Sequence, residues 1–135
     1  MDFIIREYTR YASEEILPLY ESVGWVNYTN NPQMLENAYR HSLKIFAAYA
    51  EDKPVGIIRA VGDGFSVVFI QDLLVHPAHQ GKGVGTALLE RMVKEYPSVY
   101  QFHLLTDNTK KTVQFYKSRG FCMDSDMGCC AFSRM

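Results

Sequence analysis

Cysteine is scarce in this chain of 135 residues. There are three, Cys122, Cys129 and Cys130, an odd number gathered near the C-terminus. A disulfide framework needs pairs, so the pattern points to a reduced, cytoplasmic protein. Adjacent Cys129 and Cys130 are also badly spaced for zinc, whose paired ligands usually stand two or more residues apart, and no metal is expected. The reading left for them is as small apolar fillers near a strand. An excess of charge of either sign is lacking too. The net charge is -1, with Lys82 isolated and Lys110-Lys111 only a pair, which gives none of the basic footprint that nucleic-acid binding leaves. No apolar run approaches the ~20 residues that span a bilayer, so no membrane partner is expected. The start, Met1-Asp2-Phe3-Ile4-Ile5-Arg6, lacks the basic-then-apolar order of a secretory signal. Linkers, repeats and low-complexity stretches are missing as well. What is present is ordinary for a globular protein: 47% apolar and 21% charged residues. The length suits a single domain, residues 1–135, able to bury about two thirds of its unfolded surface.

The order of elements follows from punctuation and periodicity. Phe3-Ile4-Ile5 reads as a first strand. Ser13 followed by Glu14, Glu15 and Ile16 opens a helix that stops near Gly24. Asn31-Pro32 opens another, with Leu35, Ala38, Tyr39 and Ser42 on one face. Ile45 to Ala50 and Val55 to Val61 read as strands around the turn Glu51-Asp52-Lys53-Pro54. Asp63-Gly64 is a hairpin signal, and Ser66 to Val75 a long strand apolar enough for burial on both faces. A glycine-rich loop and a helix from Thr86 follow, with Leu88, Leu89, Met92 and Val93 at helical spacing and Pro97 beyond its end. Val99 to Leu105 predicts a strand, and Thr109 to Arg119 a helix stopped by Gly120. Phe121 onward and Ala131-Phe132 predict two final short strands. The order β-α-α-β-β-β-α-β-α-β-β is an α+β layer fold: a central, mostly antiparallel mixed sheet of about seven strands flanked by about four helices.

The loop Gln80-Gly81-Lys82-Gly83-Val84-Gly85 carries the chemistry. A strand that runs into glycines and then a helix is an anion site, because the first helical turn has unpaired N–H groups and about half a positive charge. The glycines admit a phosphate close to the backbone. Lys82 adds a cation and Thr86 a hydroxyl. A Walker loop fits poorly, since it needs Lys-Ser/Thr after the last glycine and Gly85 is followed by Thr86-Ala87. The dinucleotide fingerprint is weakened by the spacing Gly81-x-Gly83-x-Gly85 and by the hairpin sheet before it.

The stretch from Asp72 to Leu89 resembles the acetyl-CoA signature of the GNAT superfamily of N-acetyltransferases. That signature reads Arg/Gln-x-x-Gly-x-Gly/Ala, met here by Gln80, Gly83 and Gly85. A second family motif resembles Asn108 and Phe115-Tyr116-Lys117-Ser118-Arg119-Gly120-Phe121. The element order matches too, so the resemblance covers nearly the whole chain. It implies a GNAT-like fold and acetyl-CoA as co-substrate. The N–H groups of Gln80, Gly81, Lys82, Gly83, Val84, Gly85 and Thr86 would then hold the pyrophosphate. The backbone of Leu73 and Val75 would pair with the pantetheine arm like an added strand, which needs a splayed or bulged sheet. An N–H at Leu73 or Leu74 would polarise the thioester carbonyl. Asn108 would touch the pantetheine. Tyr116 would protonate the departing thiolate; a phenol near pKa 10 suits a thiol near 8.5. The other reading of Tyr116 is a core aromatic beside Phe115.

Many members of the family carry a glutamate base on the long strand. Here the corresponding positions hold Phe69 and Gln71. Asp72 is the carboxylate nearby, either a base or the partner of Arg59 or His103. His76 and His79 read as surface residues at the pyrophosphate end. The family's acceptor pocket corresponds to Gly24–Asn31. Trp25 and Tyr28 there, with Gln71, suggest a small apolar or cationic amine, such as an aralkylamine or polyamine; Trp25 also reads as a plug at the end of the core. No cysteine sits where the family would use a nucleophile, so the resemblance implies direct attack of a primary amine in a ternary complex. Two alternatives stand beside it: acetylation of a protein or peptide, and a non-catalytic acetyl-CoA sensor. Homodimers are common in the family.

Overall fold

The central hairpins form where the apolar strands were read. In the computed structural model, which describes residues 2–135, the strands are β1 (Ile4–Glu7), β2 (Lys44–Ala50), β3 (Lys53–Gly62), β4 (Val67–Val75) and β5 (Gln101–Leu104). They form one sheet in the order β1-β2-β3-β4-β5. The first four run antiparallel in succession, and β5 joins β4 in parallel. The helices are α1 (Ser13–Ser22), α2 (Val26–Thr29), α3 (Pro32–Arg40), α4 (Val84–Glu95) and α5 (Lys110–Ser118). The mixed α+β sheet is as expected, with five strands and five helices in place of about seven and four.

Both differences have physical causes. The extra helix, α2, is a single turn whose four residues carry too little periodicity to be read from sequence. The two final strands do not form. Asp124–Met127 instead closes a 3-10 turn, with Asp126 N–H donating to Met123 O and Cys129 N–H to Asp124 O. Asp and Ser in this stretch favour such local bonding over a ladder. The three cysteines are accordingly exposed and free, and not fillers beside a strand.

The chain divides into two compact units, the first ending at Leu104 and the second spanning Leu105–Met135. In the first, register assigns side chains to the two faces of the sheet. Ile45, Ala47, Ile57 and Leu74 lie in one buried cluster with Ile16, Leu19 and Tyr20 of α1 and Leu35 and Tyr39 of α3. The opposite face meets α4. There Gly56 lets the helix sit close: a Cβ on it would lie 3.0 Å from Val84 and 3.1 Å from Leu88. Arg91 of α4 lies over the Phe46 ring, 4.6 Å from its centroid.

The register breaks once between β3 and β4. Arg59 pairs with Asp72 but Ala60 with Ile70, so Gln71 is an extra residue, a β-bulge. The bulge changes which face β4 buries. Before it, Ile70 shares the face of Ala60; after it, Asp72 and Leu74 share the face of Arg59 and Ile57. This is how Val68, Ile70, Asp72 and Leu74 are all buried in one strand.

Candidate active site

Along β4 the pairing with β5 stops at Ile70, opposite Leu104. Among the described residues, Gln71 to Val75 therefore have no strand on that side. The groups on this open edge follow from alternation. His76 N–H donates to Val55 O at 2.8 Å, so the backbone of His76, Leu74 and Asp72 is turned toward β3. The N–H and C=O of Leu73 and Val75 point outward. Of the splayed or bulged sheet expected here, the bulge is present, at Gln71. Of the two amides considered for a thioester carbonyl, Leu73 is the one at the edge.

The glycine loop continues from this edge. Gln80 donates from Nε2 to Val75 O at 2.9 Å, tying the loop back to the strand. Gly81 and Gly83 adopt φ of 77° and 85°, the left-handed region that side chains disfavour. Gly83 is the residue that caps α4, and Ala87 N–H is the first to close back on it, at 3.0 Å. The N–H groups just before Ala87 are those a helix start leaves unpaired. Gly85 differs: a Cβ there would meet Val75 at an ordinary 3.7 Å. His76 turns inward on its own loop, Nδ1 accepting from Ala78 N–H. Apart from Val75 O and Gln80 N–H, which the loop itself engages, the edge, the loop and the helix start present unpaired backbone groups, suited to an extended amide-containing chain that ends in a phosphate.

On the other side of the bulge lies a buried polar cluster. Asp72 and Arg59 are 2% and 4% exposed, and Arg59 Nε donates to Asp72 Oδ2 at 2.7 Å. Tyr20 donates to the same oxygen at 2.8 Å, and Tyr28 to Oδ1 at 3.0 Å. Tyr20 and Tyr39 share a further bond of 2.8 Å. Arg59 also donates to Ser42 Oγ at 3.2 Å. Burial pushes the Tyr20 and Tyr39 phenols well up, keeping both protonated. Tyr28 is also raised by burial, partly offset by the Gln71 amide 3.5 Å away. Asp72 thus pairs with Arg59, one of the roles the sequence left open.

Trp25 and Tyr28 lie half-buried against the core, their rings 6.2 Å apart, and each meets Tyr20 edge-on. Trp25 thus packs against the core while staying partly accessible, compatible with either of its readings. Sequence reasoning missed Tyr20 and Tyr39. The signal for the cluster was Arg59, the one charge in the apolar run Val55 to Val61, opposite another apolar strand.

The second unit is described by itself. Thr109 caps α5 by accepting from Thr112 N–H at 3.3 Å, and exposed Asn108 precedes it. Tyr116 packs edge-on against Phe115 and Phe121, at 5.0 and 5.9 Å. Burial raises its phenol above the ordinary 10.0. Among the described residues no group of His, Cys, Asp and Glu side chains is placed to hold a metal ion.

Known proteins share this fold. A solved acetyltransferase of the GNAT family from Streptococcus pneumoniae superposes with a TM-score of 0.91 at 40% identity, covering 99% of this chain and 98% of that one. A chloroplastic serotonin N-acetyltransferase from rice is 33% identical over 98 residues, 70% of this chain and 49% of its own length. An uncharacterised N-acetyltransferase from the red alga Porphyra purpurea is 27% identical over 116 residues, 83% of this chain and 66% of its own. The chain spans about half to two thirds of the length of such curated relatives. An aminoglycoside acetyltransferase from a soil metagenome shares the fold, with a TM-score of 0.76 at 19% identity. The acetyltransferase (GNAT) family profile matches residues 4–121, and the chain belongs to that family.

Proposed function

We propose that this protein transfers the acetyl group of acetyl-CoA to a primary amine of a small molecule by direct attack in a ternary complex. The observation that carries the reading is the open edge of β4 from Gln71 to Val75, running into the Gly81–Gly85 loop and the start of α4. In this reading the outward backbone of Leu73 and Val75 holds the pantetheine amides. The N–H groups from Gln80 to Thr86 hold the pyrophosphate, with Lys82 beside them. Asn108 adds a pantetheine contact. The Leu73 N–H stabilises the charge that grows on the carbonyl oxygen as the amine nitrogen attacks.

As the C–S bond breaks, Tyr116 gives its proton to the thiolate. Its raised phenol keeps that proton in place at working pH. The amine must lose a proton to attack. We assign Asp72 to positioning in preference to this base role, because its two oxygens already accept from Arg59, Tyr20 and Tyr28. The amine's proton then leaves to water at the exposed Gln71. The aromatic surface of Trp25 and Tyr28 favours an aralkylamine or polyamine. The rice relative, named a serotonin N-acetyltransferase, is consistent with that class.

Titration calorimetry with CoA, followed by thiol release from acetyl-CoA across a panel of aralkylamines, polyamines and peptides, tests the proposal. CoA binding with amine-dependent thiol release supports it. Binding without release by any amine indicates a sensor, and release with peptides alone indicates a peptide acetyltransferase.

A further inference from the structure

The buried cluster has only one consistent arrangement of protons. Asp72 faces the Arg59 guanidinium, a donor alone, so its carboxylate oxygens act as acceptors. The single proton of Tyr20 is spent on Asp72 Oδ2. The bond between Tyr20 and Tyr39 must therefore be donated by Tyr39. Arg59 completes the inner side, donating to Asp72 Oδ2 and Ser42 Oγ, and Ser42 passes its own proton to Ala38 O at 2.7 Å. Every phenol hydrogen in the cluster thus runs toward Asp72, directly from Tyr20 and Tyr28 and through Tyr20 from Tyr39.

Tyr28 is where this order reaches the surface. Its proton is spent on Asp72 Oδ1, so its oxygen is left with lone pairs alone. The Gln71 amide lies at the 3.5 Å limit of a hydrogen bond and belongs to an exposed side chain, so it leaves that oxygen weakly served. Gln71 is itself the bulge at which the open edge of β4 begins. Resting on the acetyltransferase reading above, we propose that the Tyr28 oxygen is the specificity-determining contact for the acceptor: a one-way hydrogen-bond acceptor, set by Asp72 from inside the fold, that selects an amine presenting N–H.

An alkylamine suits this group in both protonation states, since the ammonium and the neutral amine each keep N–H donors. A bond to the ammonium is charge-assisted and the stronger. The Trp25 ring beside it adds a π face for the same cation. Asp72 acts as a positioning residue: it holds the Tyr28 proton inward and so decides which way the phenol faces.

The test is steady-state thiol release with the best amine of the panel. Tyr28→Phe removes the acceptor oxygen; KM for the amine rises about tenfold or more, kcat changes less, and calorimetric affinity for CoA stays the same. Asp72→Asn keeps the shape, with its carbonyl oxygen serving Arg59 and Tyr20 and its amide donating to Tyr28. The Tyr28 proton then turns outward against the amine's own, and KM rises at least as much. In the Tyr28→Phe background Asp72→Asn adds nothing to KM, because no direction remains to be reversed. Circular dichroism melts show whether each variant folds; if Asp72→Asn does not, Tyr28→Phe alone decides. An unchanged KM in folded Tyr28→Phe overturns the proposal, as does an equal effect of Asp72→Asn with and without the Tyr28 hydroxyl. Wild-type protein that binds acetyl-CoA yet acetylates no amine overturns the acetyltransferase reading and this one together. Turnover with unaltered KM in Tyr28→Phe overturns this one alone.

Discussion

Removing the Asp72 carboxylate should damage the fold more than removing its cation. Asp72→Ala leaves the Arg59 guanidinium 4% exposed, with Ser42 Oγ as the remaining acceptor at 3.2 Å and the Tyr39 ring 5.6 Å away. It also removes one of the two partners of the buried Tyr20 hydroxyl, which keeps its bond to Tyr39. Breaking a buried pair from one side costs about 3–5 kcal/mol, and a guanidinium cannot shed its charge. For a chain of this length ~1 kcal/mol moves the melting temperature by about 3–4 °C, so a fall of about 10–18 °C is expected. Arg59→Met leaves a carboxylate that still accepts from two phenols, so the loss lies at the lower end, ~3 kcal/mol. Urea unfolding of both variants at pH 7, with matched m-values, measures this. An Asp72→Ala loss under about 1 kcal/mol, or a larger loss for Arg59→Met, would refute the reasoning.

The loop glycines should behave differently from one another. Gly83→Ala, at φ 85°, should lower stability by about 1 kcal/mol and weaken CoA binding in calorimetry. Gly85→Ala, inside α4 with room for a Cβ, should raise stability by up to about 1 kcal/mol with CoA binding kept. The Asp63 carboxylate accepts from the N–H groups of Phe65, Ser66 and Val67 and from Ser66 Oγ. These bonds hold it well below the usual carboxylate range. Its stabilising effect is complete above the unfolded value and lost as pH falls through the folded one, so melts of wild type and Asp63→Ala should differ at pH 7 and converge in acid. Tyr116→Phe should lower kcat with little change in CoA affinity. The alkaline limb of the wild-type rate profile should lie above pH 10, as burial of the phenol requires.

What was legible in the sequence is what local rules govern. The hairpin strands, α1, α3, α4, α5 and the glycine loop announce themselves through alternation, helical spacing and turn residues. The Asp63-Gly64 hairpin signal held because Asp63 gathers three backbone N–H groups across the turn. The C-terminal strands were misread because Phe121, Ala131 and Phe132 are apolar without alternating, and the aspartates between them close a turn instead. The proton order of the cluster was invisible for another reason. Tyr20 and Tyr39 meet only when α1 and α3 pack side by side on the sheet, and each reads in sequence as one more apolar residue on a helix face.

The bulge at Gln71 links these two kinds of information. A strand of nine residues with every even position buried reads as one facing a single core. With an extra residue at its middle, β4 faces two: Val68 and Ile70 on the side of α4, Asp72 and Leu74 on the side of α1 and α3. The same residue marks where β5 leaves, since the last parallel pair is Ile70 with Leu104. One position therefore marks both the start of the unpaired edge and the insertion that brings Asp72 onto the face of Tyr20 and Tyr28. A carboxylate at that point is tied into the fold from three sides. This gives a physical reason why the strand carries an amide and an anchored aspartate where a free glutamate was sought. The polarity that faces the open edge is set by the anchored group through Tyr28.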